Sequence, residues 1–455
     1  MEHEYKEILF IGIIVLLIPL FFERIYDDEA IYWYMSKSIN QKGLYEIPQT
    51  RRMPLAISIV SPFLSINDSI LVPRIITVLF TLASSIIIFE IVKNYYDKRA
   101  AFISAILFIF SFQTIRFGTR FYLDAYGVFF FLLSIYLTKK NRLSFAGLSF
   151  ALAMLSREIW LGMYPFMIIY LFKERKSIAR FLLWSAIPML IFVVFIHMTI
   201  GLDAYMNRSG FAQEASYVSS NLYQTPISLT QSWIEFLVIQ AVTTLGFLAW
   251  VWKKRDNLLI LIIPQFLLMS LTQGFISNGA MTQYAMWLQA TMALLAGPGL
   301  LILEKKYFGK YNFKTLILLI LILQFFLFSY LASVLSLRGA IGVHDFGYWY
   351  DEQVMTLLNQ KAKNESIAGL HGAFIKDAGK WIWRERNVRN ILELEPDWYV
   401  IVEPQLIKFK TEPKNVKEVE LYNIGPYIVL HSHPNGHLGD LIEPNEKFSK
   451  WALRE

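Results

Sequence analysis

The stretch ILFIGIIVLLIPLFFERIYDDEAIYWY, Ile8–Tyr34, decides how the chain is read. Its first part, Ile8 to Phe22, is apolar throughout, and an acidic knot, Asp27, Asp28 and Glu29, stands directly behind it. A run of this length is short for a hydrocarbon core of roughly 30 Å, so it needs interfacial help from Tyr5 and Lys6 to span. The flank Met1-Glu2-His3-Glu4 is not basic and no small-residue cleavage site follows, so the segment is expected to be a retained helix rather than a signal peptide. Carboxylates clustered at a helix exit, with Arg51 and Arg52 further along, make a candidate reaction centre.

The rest of the chain extends that reading. The 455 residues are 55% hydrophobic and 16% aromatic, with a mean hydropathy of +0.42, too apolar for an ordinary soluble fold. Further membrane candidates are Ile70 to Val92, Ala100 to Phe112, Phe121 to Leu137, Leu143 to Leu155, Trp160 to Phe172, Phe181 to Ile200, Ser232 to Trp252, Leu258 to Leu271, Gln283 to Leu303 and Leu316 to Leu337. With the first they predict about eleven spans. Basic blocks such as Lys98-Arg99, Lys139-Lys140, Arg175-Lys176 and Lys253-Lys254-Arg255 fall at alternate connections, which puts those loops and the N-terminus in the cytoplasm. The segments Glu23 to Ser69, Gln113 to Arg120, Ser156 to Ile159, Gly201 to Gln231 and Thr272 to Thr282 are then extracytoplasmic, as is everything after Leu337. The net charge of +7 reports this topology and not a nucleic-acid surface.

The expected organisation is an α-helical polytopic membrane module over residues 1–337 and a small extracytoplasmic α/β domain over residues 338–455. The first outer loop, residues 23–69, carries a short amphipathic helix. Ile31, Tyr34, Met35, Ser38 and Ile39 set its spacing, and Gly43 stops it. In the tail, Trp398 to Val402 and Tyr427 to Leu430 read as buried strands, while Val354 to Lys363 and Asp377 to Arg386 read as helices. The sequence holds no cysteine, which excludes disulfides, thiolate nucleophiles and cysteine-based zinc sites. His431, His433 and His437 surround Pro434-Asn435-Gly436, which reads as a turn and not as a metal site.

Once the topology is laid out, Arg51, Arg52, Arg74, Arg116, Arg120 and Arg157 stand at outer helix ends, where the positive-inside bias disfavours them. Guanidinium forks suit bidentate binding of phosphate or carboxylate. Asp27, Asp28, Glu29, Asp124 and Glu158 come from the same layer. Each arginine also has a plain structural role open to it, snorkelling to headgroups or pairing locally, as Arg157 with Glu158. Asp27 or Asp28 can simply cap the following helix. Tyr32 is a candidate sugar contact, whereas Trp33 reads as part of an interfacial aromatic belt.

Tyr26-Asp27-Asp28-Glu29-Ala30-Ile31-Tyr32, then Gly43, then Arg52-Met53-Pro54-Leu55, resembles the first outer loop of the GT-C superfamily of membrane glycosyltransferases. The aminoarabinose-transferase-like and protein O-mannosyltransferase-like enzymes are the most similar groups. Pro73-Arg74-Ile75, Arg120-Phe121-Tyr122-Leu123-Asp124 and Leu155-Ser156-Arg157 continue the likeness over about the first 170 residues. Met53 departs from the pattern by replacing its first proline, and Gln283-Tyr284 stands where many relatives have a basic residue before the tyrosine.

The resemblance implies transfer of a sugar, a hexose or pentose, from a polyprenyl- or dolichyl-phosphate carrier to a protein, glycan or lipid acceptor on the extracytoplasmic face. Asp28 matches the catalytic acidic position, Asp124 a second acidic position, and Arg52 and Arg157 basic positions of the family. Chemically, a carboxylate at Asp28, with Glu29 beside it, takes the acceptor proton, and arginines stabilise the departing lipid phosphate in an inverting displacement. Neither a metal nor another cofactor is required, although the acidic knot is compatible with a divalent cation. The protein is expected in the plasma membrane, with no nucleic-acid partner. A transporter or flippase for an anionic lipid or lipid-linked sugar is the rival reading, but it calls for charges near the bilayer midplane, and here they gather at one face.

Overall fold

The computed structural model describes residues 2–22, 27–49, 53–208, 237, 240–253, 256–276, 285–308, 321–322, 348–362, 365, 367–370, 383–385, 397–401, 407–409, 419–424, 427–432 and 442–444. Among the described residues the order is α1 (Glu2–Phe22), α2 (Asp27–Lys42), α3 (Leu55–Val60), α4 (Leu71–Tyr95), α5 (Lys98–Ile109), α6 (Phe112–Phe117), α7 (Leu123–Lys139), α8 (Leu143–Ser156), α9 (Tyr164–Lys173), α10 (Ile178–Thr199), α11 (Leu202–Arg208), α12 (Ala241–Lys253), α13 (Leu259–Ile276) and α14 (Ala285–Leu303). Then follow α15 (Tyr348–Lys361), β1 (Ile367–Leu370), β2 (Trp383–Glu385), β3 (Trp398–Ile401), β4 (Ile407–Phe409), β5 (Val419–Ile424), β6 (Tyr427–Ser432) and β7 (Ile442–Pro444). The segments 201–231 and 316–337 of the sequence reading lie largely outside the described residues, as do Arg51, Arg52, His433 and His437.

The chain forms two compact units. One comprises Met1–Leu20 with Met35–Ser329, the other Phe21–Tyr34 with Tyr330–Glu455. In the first, three described helical stretches are long and apolar enough to cross a membrane: Leu71–Tyr95, Ile178–Thr199 and Met286–Lys306. Lipid supplies no hydrophobic drive between helices, so close backbone approach and internal hydrogen bonds must hold them. Small residues provide that approach. A Cβ on Gly147 of α8 would lie 2.4 Å from the Phe181 carbonyl oxygen of α10, and one on Gly246 of α12 would lie 2.4 Å from the Ala296 carbonyl oxygen of α14. The Ser134 hydroxyl of α7 donates to the Ala146 carbonyl of α8 at 2.9 Å.

Two segments take another form in the structure than the one expected. Gln113 to Arg120, expected as an outer loop, contains the short helix α6, whose first turn is capped by Ser111 accepting from the Thr114 N–H at 3.2 Å. Most of its side chains are buried among the helices. Trp160 to Phe172 begins as a 3-10 turn, Glu158–Met163, and α9 follows with Pro165 in its first turn. The 10 residues of α9 reach about 15 Å, half of a hydrocarbon core.

In the second unit a five-stranded sheet runs in the order β2-β1-β3-β6-β5. β1 pairs in parallel with β2 and β3, β6 pairs antiparallel with β3 and β5, and β4 and β7 form a separate antiparallel pair. α15 packs against β5 and β6. Trp398 and His431, opposite each other across β3 and β6, stack at 4.2 Å between ring centroids, and the Trp398 indole N–H donates to Glu365. Lys361 hydrogen-bonds the Tyr422 hydroxyl, which raises the lysine pKa, while burial raises that of Tyr422. The helix expected over Asp377 to Arg386 is corrected in part: Trp383–Glu385 is strand β2, held by its parallel pairing with β1.

Candidate functional site

α7, α8 and α14 bring three side chains to one buried point. Asp124 sits in the first turn of α7, after Tyr122 and the turn it closes with an N–H to the Arg120 carbonyl at 2.7 Å. Arg157 follows the end of α8 in an extended conformation, φ −154 and ψ 126, which directs the chain out of the helix and into the 3-10 turn. The Arg157 Nε–H donates to Asp124 Oδ1 at 3.2 Å, and the Trp287 indole N–H from α14 donates to the same oxygen at 2.8 Å. Arg157 Nη1 also lies 3.5 Å from Glu158 Oε1. Both members of the central pair are 1% exposed, so each charge depends on its partner for the solvation it has lost.

Aromatic rings wall this point. Trp160 stacks on Phe131 at 4.3 Å and stands 5.6 Å from the Trp287 ring. Gly127, one turn along α7 from Asp124, makes room for the indole: a Cβ there would lie 2.3 Å from Trp160 Nε1.

The other residues singled out in the sequence occupy distinct environments. Arg120 is buried just ahead of α7, and Arg74 is buried in the first turn of α4, where its Nη1 donates to the Leu20 carbonyl at 3.0 Å. That carbonyl is in the last turn of α1, where a cation is favoured by the exposed helix carbonyls. Arg116 is half-buried, its guanidinium 5.6 Å and 5.5 Å from the Phe112 and Phe117 rings. Asp27 and Asp28 begin α2, and their side chains lie outside the described residues, as Arg51 and Arg52 do altogether.

Glu29 and Tyr32 are buried, and so is Trp33, which the sequence assigned to an interfacial belt. Among the described residues, the buried positions of α2 are therefore Glu29, Tyr32, Trp33, Ser36 and Ile39. They differ from the stripe read from the sequence, and the inward Ser36 hydroxyl donates to the Ile57 carbonyl. Gly43, with φ +85, ends the helix.

Sequence reasoning missed Trp287. It lies inside an apolar span, where a tryptophan reads as membrane-facing, and only its place soon after Gln283-Tyr284 hinted at the site layer.

Residues 52–200 match the family model for dolichyl-phosphate-mannose-protein mannosyltransferase. Among solved structures, ArnT from Cupriavidus metallidurans bound to undecaprenyl phosphate superposes with a TM-score of 0.65 at 11% identity, over 94% of this chain and 98% of that one. The chain has a GT-C fold. The same GT-C architecture is seen in the Archaeoglobus fulgidus oligosaccharyltransferase complex with Zn and sulfate, with a TM-score of 0.57 at 13% identity over 87% of this chain and 67% of that one. AglB from the same organism, in complex with an inhibitory peptide and a dolichol-phosphate, gives 0.55 at 12% identity over 98% and 77%. No curated protein sequence matches the chain. The three described helical stretches long and apolar enough to cross a membrane agree with an integral membrane protein of this fold.

The zinc in one neighbour prompts a test of the metal ligands present. Among the described residues no three His, Asp or Glu side chains are grouped to hold an ion. Asp124 is engaged by Arg157 and Trp287 through Oδ1, and Glu158 by Arg157. This described centre is an ion pair joined by one neutral donor.

Proposed function

We propose that the protein transfers a single sugar from a polyprenyl- or dolichyl-phosphate carrier to an acceptor hydroxyl on the extracytoplasmic side of the plasma membrane. The observation that carries the reading is the fully buried Asp124–Arg157 pair, joined by Trp287, within the region that matches the mannosyltransferase model. Ionised groups buried among membrane helices are costly and are kept where they serve a site.

In the reaction, the acceptor oxygen forms a bond to the anomeric carbon as the bond from that carbon to the phosphate oxygen breaks with inversion. The electron pair leaves with the lipid phosphate. Asp28 takes the acceptor proton, assisted by the neighbouring Glu29, a task worth roughly two to four powers of ten in rate. Arg52, Arg120 and Arg157, assisted by Arg51, Arg74 and Arg116, stabilise charge gathering on the phosphate. Asp124 tempers the charge of Arg157 and fixes its guanidinium, so that fork is oriented before substrate arrives. Residues 338–455 form the extracytoplasmic domain that selects the acceptor.

The test uses purified full-length protein in lipid nanodiscs with a panel of dolichyl- and undecaprenyl-phosphate sugars, mannose included, and mass spectrometry of glycoconjugates from a deletion strain. Transfer from one of these donors, together with loss of a glycoconjugate in the strain, supports the reading. Intact donors and an unchanged glycoconjugate pool overturn it.

A further inference from the structure

The two oxygens of Asp124 are used unequally. Oδ1 accepts from Trp287 and Arg157, whereas Oδ2, buried as deeply, has no hydrogen-bond partner among the described residues. Leaving such an oxygen unsatisfied costs on the order of 1–3 kcal/mol, and more when it is charged. The indole N–H of Trp160 is likewise buried without a hydrogen-bond partner among the described residues. Its ring meets α7 at Gly127, one turn from Asp124 on the same helix face. An unused acceptor on α7 and an unused donor that meets α7 one turn further along thus stand beside the rings of Trp160 and Trp287.

Hydroxyl groups are the complement of this arrangement, because each can donate to a carboxylate and accept from an indole. A sugar ring presents several hydroxyls together with apolar C–H faces suited to aromatic walls. Water would satisfy the same atoms but would not distinguish one sugar from another.

We propose that Asp124 Oδ2 and Trp160 Nε1 form a hydroxyl-binding subsite for the transferred sugar. Trp287 is its positioning residue, holding Oδ1 so that Oδ2 remains available. The inference rests on the glycosyltransferase reading and adds to it which part of the donor is recognised, and by which atoms.

The experiment uses the donor that supports transfer in the panel above, together with its mono-deoxy analogues. With the wild-type chain, removal of one particular hydroxyl is expected to lower kcat/KM at least about tenfold, the effect of about 1.4 kcal/mol. Trp287→Phe keeps a ring and removes the donor. It is expected to narrow that discrimination at least about threefold, while binding of undecaprenyl phosphate changes less than about twofold. Asp124→Asn should narrow it further, and where that variant fails to fold, Trp287→Phe carries the test alone.

Equal use of all deoxy donors by the wild-type chain overturns the subsite, and the glycosyltransferase reading stands. Discrimination that persists unchanged in Trp287→Phe overturns the positioning role. A wild-type chain that transfers no sugar from the panel, with an unchanged glycoconjugate pool in the deletion strain, overturns both readings together.

Discussion

Gly299 of α14 faces Gly246 of α12 so closely that a Cβ on Gly299 would stand 1.7 Å from the Gly246 carbonyl oxygen. The atom met is backbone, so no side chain can swing aside to relieve the clash. Gly299→Ala is therefore expected to push α12 and α14 apart and to destabilise the fold by about 1–3 kcal/mol, as overpacking does elsewhere. A lowered thermal midpoint in detergent checks this; an unchanged midpoint would show that the two helices are not in contact there.

The Asp124–Arg157 pair should behave as one unit. Removing either charge strands the other in a water-poor site, at about 3–5 kcal/mol. Asp124→Asn and Arg157→Gln are each expected to destabilise strongly, and the double variant by less than their sum. Equilibrium unfolding of all four proteins gives the coupling energy, and strictly additive losses would contradict a direct pair.

Asp28→Asn tests the proposed base apart from the fold. Transfer should fall by about 10²- to 10⁴-fold, with binding of undecaprenyl phosphate retained. Activity within about threefold of the wild-type chain would remove Asp28 from the mechanism.

In the sheet-bearing unit, Trp398→Ala deletes a ring stacked on His431 and the donor to Glu365. A loss of about 3–5 kcal/mol is expected for a buried aromatic side chain. Hydrogen exchange across β3 and β6 in the full-length protein should quicken markedly, and protection equal to that of the wild-type chain would rule out Trp398 as a keystone of the sheet.

Much of the helical part was legible because local hydropathy sets it. Ile70 to Val92 was expected and Leu71–Tyr95 is found; Leu143 to Leu155 was expected and Leu143–Ser156 is found. Local hydropathy does not register a cap or a proline, so α6 after Ser111 and the break before Pro165 went unread. Strand β2 was missed because its partner strand, and not its own residues, makes it extended.

At the candidate site, the sequence placed Asp124 and Arg157 in one layer through topology alone. That they touch is a tertiary fact, and the third member, Trp287, comes from 163 residues further along the chain than Asp124. No pattern within one helix encodes such a meeting.

The unit that contains the acidic knot draws Phe21–Tyr34 from one end of the chain and Tyr330–Glu455 from the other. On a ribosome adding roughly 5–20 residues per second, the early piece waits on the order of 15–60 s for its counterpart to emerge. Asp27, Asp28 and Glu29 therefore reach the membrane long before the last strands exist, and a chain released early holds its proposed base in an unfinished module. Maturation of activity should consequently trail synthesis of the final residues, however soon the first helices have inserted.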